Sequence, residues 1–272
     1  MALTEIRRYY SEMFQAEKKV ADYILENPGK VLDMSIAQLA KASGTSDATI
    51  IRMCRHIGFS GFYQLKISLA SGMGPEAAVE CEGRSKTNDV VGFFDRVARS
   101  ITDMAKNISR EVLLSCAGLL AEADTVYTAA WGNTGQIAGD FAHRLTHSGV
   151  KSFASEIPEY SLRSIGLGTE RDVLVAISHS GASKHVIDAL KLAGEVGMKR
   201  ILITDQKNSE AAKEADYVLC TEVKSPVFRD FGAASHVFEL IVVDALLYFM
   251  KIPPERLQKG GGMEMLLSGY KI

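Results

Sequence analysis

The sequence has few of the features that would place it in a membrane or an oxidising compartment. No apolar run reaches the roughly 18 residues that a bilayer-spanning helix needs. The longest candidate, residues 240–250, is interrupted by Asp244 and followed by Lys251 and two prolines. The first ten residues carry Glu5, Arg7 and Arg8 and no apolar stretch, so no secretory leader is expected and the chain reads as cytoplasmic. Cysteine is scarce. Cys54, Cys81, Cys116 and Cys220 are too dispersed for a C-x-x-C pair, and a disulfide framework makes no sense at 272 residues. There is no internal repeat, and no low-complexity segment beyond Lys259-Gly260-Gly261-Gly262, which reads as part of a mobile tail. There is no G-x-x-x-x-G-K-[ST] run, and Gly132-x-x-Gly135 is too sparse for a dinucleotide fingerprint, so neither a cofactor nor a metal is expected.

What is present is ordinary globular material, 47% hydrophobic and 24% charged, enough for one or two domains with substantial cores. Net charge is −2, from 33 acidic and 31 basic side chains, but an average hides local asymmetry. Residues 1–70 hold nine basic groups (Arg7, Arg8, Lys18, Lys19, Lys30, Lys41, Arg52, Arg55, Lys66) and seven acidic ones (Glu5, Glu12, Glu17, Asp22, Glu26, Asp33, Asp47). That stretch is therefore slightly basic, and the remainder is slightly acidic.

The two parts also differ in pattern. Up to about Ala70 the chain reads as short helices without strands. Val20, Ala21, Ile24 and Leu25 recur at helical spacing until Asn27-Pro28-Gly29. Ser35 is a candidate N-cap for a helix through Ile36, Leu39 and Ala40, which stops at Ser43-Gly44. Ser46-Asp47 starts another, with Ile50, Ile51, Cys54 and Ile57 inward and Gly58 at its end, and a further helix follows over 62–69. Residues 71–89 are polar and aperiodic and read as a linker. Beyond them come helical stretches at 90–108 and 110–123. Short apolar strands follow at 125–130, 151–154, 172–178, 200–204 and 217–219, separated by helices, most clearly at 183–196. That alternation implies a parallel sheet covered on both faces, with ligands at the carboxyl ends of its strands.

Two constellations carry chemistry. The pair of helices around Ala42-Ser43-Gly44-Thr45 has helix-turn-helix spacing, with the second helix placed to enter a major groove. On it Ser46, Thr49, Arg52, Arg55 and His56 are the candidate DNA contacts, joined by Lys66 of the next helix. Arginine suits bidentate contact to guanine, and hydroxyls reach bases or phosphates. The plain alternative is a three-helix packing unit with solvated charges. The second constellation is a pair of strand-to-helix loops, Trp131-Gly132-Asn133-Thr134-Gly135 and Ser178-His179-Ser180-Gly181-Ala182-Ser183. Hydroxyls and glycine at a helix N-terminus suit a phosphate dianion, although the same residues also serve simply as caps and turns. The candidate ligand contacts are Asn133, Thr134, Ser178, Ser180, Gly181 and Ser183.

Several strings carry a family resemblance. Residues 17–67, and above all Ala48-Thr49-Ile50 with Arg52 followed by Gly58-Phe59-x-Gly61-Phe62, resemble the N-terminal domain of RpiR-type bacterial transcription regulators. Residues 122–251 resemble the SIS (sugar isomerase) domain through Ile177-Ser178-His179-Ser180-Gly181-Ala182-Ser183, Ala215-Asp216 and Val243-Asp244-Ala245-Leu246. Ser183 replaces the family's usual threonine. In the first loop Thr134 stands where serine is typical. The resemblance implies an all-α helix-turn-helix domain (1–77), connecting segments (78–121), an α/β SIS domain (122–256; doubly wound, flavodoxin-like, about five parallel strands) and a tail (257–272). It also implies a homodimer or homotetramer that binds operator DNA under the control of a phosphosugar effector. SIS domains occur in aldose–ketose isomerases too, and Glu156, Glu159, His179, His236 and Glu239 are the acid–base candidates for that alternative. An adaptor that uses the fold only to oligomerise is a third.

Overall fold

The computed structural model describes residues 2–34, 36–72, 90–223 and 236–257. Ser35, residues 73–89 of the expected linker and residues 258–272 of the expected tail lie outside the described residues. The chain packs as two units that divide at Val90.

The first unit is all helix: α1 (Ala2–Tyr9), α2 (Gln15–Glu26), α3 (Pro28–Asp33), α4 (Ile36–Ser43), α5 (Asp47–His56) and α6 (Phe62–Gly72). Asn27-Pro28-Gly29 ends α2 as expected, but Pro28 also opens α3. A proline at the first helical position loses only an N–H that would be unpaired anyway. Apolar faces of these helices meet in one core that includes Ile6, Val20, Ile24, Leu39, Ile50, Met53, Leu65 and Leu69. Each such aliphatic side chain contributes about 1.5–3 kcal/mol on burial.

In the second unit α7 (Val90–Asn107) and α8 (Arg110–Glu122) precede β1 (Val126–Ala129), α9 (Gly135–His147), β2 (Ser152–Ala154), α10 (Pro158–Ile165) and β3 (Val173–Ile177). The chain continues through α11 (Lys184–Glu195), β4 (Lys199–Thr204), α12 (Glu210–Lys213), β5 (Tyr217–Cys220) and α13 (Val237–Phe249). The five strands form one parallel sheet in the order β2-β1-β3-β4-β5. Alternate residues of the central strands β1, β3 and β4 feed separate cores. Val173, Val175 and Ile177 pack with α8, α9 and α13, whereas Leu174 and Ala176 pack with α11. Helices therefore cover both faces. The strand order reverses between β1 and β3, so α9 and α11 leave adjacent strands on opposite sides of the sheet, and the crevice of a doubly wound fold falls between them. At the opposite end of the sheet Asp216 accepts from the backbone N–H of Arg200 (2.8 Å) and from its guanidinium (2.8 and 3.1 Å), which locks β4 to β5. The Ala215-Asp216 string is thus structural.

Candidate DNA-reading and effector sites

The helix-turn-helix is built by its turn. Helix α4 ends where Gly44 adopts φ +62°, a backbone conformation that side chains resist, and Thr45 N–H closes on the carbonyl of Ala40 at 2.9 Å. Ser46 then caps α5, its Oγ accepting from Thr49 N–H at 3.3 Å.

The side of α5 that faces inward is rotated from the one expected. Ile50, Met53, Cys54 and Ile57 are buried and Ile51 only partly so. Thr49 is buried too, with its hydroxyl 3.0 Å from Ser46 Oγ, which corrects the expectation that it faces outward. Arg52 and Arg55 are exposed. Lys66 donates to the carbonyl of Met34 (3.0 Å) and lies over the Phe62 ring.

A residue that the sequence did not single out organises this surface. Glu17 of α2 is fully buried, and its Oε2 accepts from Phe14 N–H (3.1 Å) and pairs with His56 Nδ1 (3.0 Å). Its Oε1 lies 3.7 Å from Arg52 Nε. A buried carboxylate on α2 therefore aims two basic side chains of α5. Glu17 sits three residues after the helix N-cap, the position of a capping-box acid, and that spacing is its only mark in the sequence.

In the second unit the 131–135 loop follows β1 into α9, and the 178–183 loop follows β3 into α11. Their helix N-termini flank the switch point. Asn133 is exposed, whereas Thr134 is buried, donating to the carbonyls of Ile177 (3.3 Å) and Trp131 (3.4 Å). Thr134 thus fastens one loop to the end of β3. Ser178 is buried, and Ser180 and Ser183 are partly exposed. Ser180 Oγ accepts from Ala182 N–H (3.3 Å), and Ser183 caps α11 by position without a side-chain bond to it.

Gly181 has φ +61°, and a Cβ there would collide with Ser209 of the neighbouring loop. The loops after β3 and β4 interlock through Asp205 N–H to His179 O (3.1 Å) and Ala211 N–H to Gly181 O (3.0 Å). Trp131 packs edge-on against His185, and its buried Nε1–H is without a partner among the described residues. It is a donor beside the crevice that the hydroxyl pattern did not flag. Of the acid–base candidates, His179 and Glu239 are brought together, Nδ1 to Oε1 at 2.6 Å, with His236 next to them. Glu156 and Glu159 stay exposed beyond β2.

Models of two families match the chain: a helix-turn-helix domain of the rpiR family over residues 1–76 and the SIS domain over 119–247. An uncharacterized HTH-type transcriptional regulator of Caldanaerobacter subterraneus subsp. tengcongensis is 32% identical over 248 residues, spanning 90% of this chain and 88% of that one. The chain belongs to the rpiR family. This rpiR-family protein is also 27% identical over 252 residues to the regulator HexR of Pseudomonas aeruginosa, covering 90% of this chain and 87% of HexR. Vibrio vulnificus NanR, solved in complex with ManNAc-6P, matches with a TM-score of 0.78 at 25% identity, covering 99% of both chains. Among the described residues no helix is long and apolar enough to cross a membrane.

Proposed function

We propose that this rpiR-family regulator binds operator DNA through α5 and senses a phosphorylated sugar or amino sugar at the switch point of its SIS domain. The observation that carries this reading is the pair of helix N-termini on adjacent strands. The positive ends of two helix dipoles converge there, a setting suited to a phosphate dianion. Ser178, Ser180 and Ser183, the Gly181 backbone and Asn133 are the contacts we assign to the ligand. Trp131 Nε1 is available as a further donor. The full-length likeness to a NanR chain solved with ManNAc-6P supports the ligand class.

On the DNA side Arg52 and Arg55 read base edges while Ser46 and His56 hold register on the backbone. The chain acts in the cytoplasm as a homodimer or homotetramer, presenting two recognition helices to paired half-sites. Effector binding alters the spacing or freedom of those helices, and so their affinity for DNA. Retardation of the chain's own upstream DNA in a gel, modulated by one member of a phosphosugar panel that also raises Tm, is the expected result. No retardation at low salt, or a Ser180→Ala variant with undiminished ligand-induced stabilisation, would refute the respective half of the reading.

A second reading is favoured by the His179–Glu239 pair, because a carboxylate joined to an imidazole is equipped to move protons. It predicts turnover of the stabilising sugar phosphate that disappears in Glu239→Gln. The sensor reading predicts no turnover.

A further inference from the structure

Glu239 is fully buried at the start of α13, yet only one of its oxygens is used. Oε1 pairs with His179 Nδ1 at 2.6 Å, while Oε2 has no hydrogen-bond partner among the described residues. His236, one turn earlier, has both ring nitrogens buried and without hydrogen-bond partners among the described residues, its Nδ1 3.9 Å from Glu239 Oε2. An imidazole always carries at least one donor, and a neutral one also carries an acceptor; here none of that capacity is used. Burying such groups unpaired costs several kcal/mol in total, so their arrangement calls for an explanation.

We propose that His179, His236 and Glu239 form a binding site for a divalent transition metal of the zinc class. One donor atom from each lies within 4.8 Å of the other two. Donors around a tetrahedral zinc at bond lengths of about 2.0–2.1 Å sit roughly 3.3 Å apart, and the observed 2.6 and 3.9 Å separations bracket that spacing. Small side-chain rotations close the set. Two imidazoles and a carboxylate, without thiolate, are a donor set of zinc enzymes that keep a fourth position open.

The exposure gradient supplies that open side. Side-chain accessibility is 0% for Glu239, 16% for His236 and 48% for His179. A single cation would satisfy the orphaned oxygen of Glu239 and a nitrogen of His236 together. It would displace the proton shared by His179 and Glu239. The acid–base reading of the same residues uses only that pair and leaves His236 unexplained.

His179 lies inside the 178–183 loop, so a bound metal would form one wall of the crevice. The site does not depend on the effector reading, and its test contains no sugar. Full-length protein stripped with chelator is titrated with Co2+ and then Zn2+, followed by visible absorption and calorimetry. The expected result is stoichiometric Co2+ uptake with the ligand-field bands of a four- or five-coordinate centre, no thiolate charge-transfer band, and displacement by Zn2+. His236→Ala, His236→Asn and Glu239→Gln, each checked for an unchanged far-UV spectrum, should weaken uptake about tenfold or more. Three results would overturn the site: no stoichiometric uptake, a thiolate band, or undiminished binding in the folded variants. None of them bears on whether a sugar phosphate stabilises the protein.

Discussion

Glu17 shows how one buried side chain orders an exposed surface. Its carboxylate accepts from the backbone N–H of Phe14, just before α2, and pairs with His56 on α5, while Arg52, 63% exposed, stays within 3.7 Å. Glu17→Gln removes the charge that orients both bases. The expected cost is about 1–3 kcal/mol in chemical denaturation, accompanied by weaker operator binding. Arg55→Ala removes an exposed side chain that has no bond among the described residues. It should leave Tm unchanged and weaken operator binding by about 1–3 kcal/mol if Arg55 reads a base, or lower the salt slope by about one if it contacts phosphate.

These roles were only partly legible beforehand. The apolar pattern places Thr49 outward only if Ile51 faces the core. The core instead takes Ile50 and Met53, one position round the helix, and a helix in which apolar residues neighbour one another on several sides does not distinguish the two. His179, His236 and Glu239 stood out only by residue type. Sixty residues separate the first from the last, so no spacing rule joins them, and only the return of α13 beneath the end of β3 does.

Elements fared better. Each strand lies within about a residue of its expected range at either end, because short apolar runs between turn residues leave little choice of register in a sheet buried on both faces. Helix α3 is not evident in the sequence because Pro28 reads equally as the stop of α2 and as the first residue of a new helix. Pairing between elements also yields a pH prediction. The Arg200 guanidinium beside Asp216 holds that carboxyl below its ordinary 3.8, so its contribution to stability is present above 3.8 and is lost as pH falls through the lower folded value. Asp216→Asn should lower Tm at neutral pH by the equivalent of about 1 kcal/mol, the pair being partly solvent-exposed, and the deficit should vanish in strong acid. Gly181→Ala tests the loop interlock after β3 and β4. With φ +61° and Ser209 in the way, it should cost about 1–3 kcal/mol and abolish the sugar-phosphate response.

For the whole molecule the central prediction is reciprocity. If a sugar phosphate changes operator affinity by some factor, operator DNA must change sugar-phosphate affinity by the same factor. Titrating the effector with and without saturating operator, and the operator with and without saturating effector, measures both sides of that cycle, and unequal factors would mean that the two events are not linked through one equilibrium. The slightly basic first unit and slightly acidic second unit, which together masked each other in the net charge, correspond to these two binding tasks.

The thiols offer a way to follow each unit separately. Cys54 belongs to the core of the first unit and Cys116 to that of the second, and burial pushes both up to about 12. A thiol so protected reacts with an alkylating reagent only when its surroundings open. With Cys81 and Cys220 replaced by serine, the labelling rates of the remaining two become independent clocks, one for each core. Added DNA should slow the first clock and added sugar phosphate the second. Any slowing of the other clock in either case would measure, in units of time, how far the message travels.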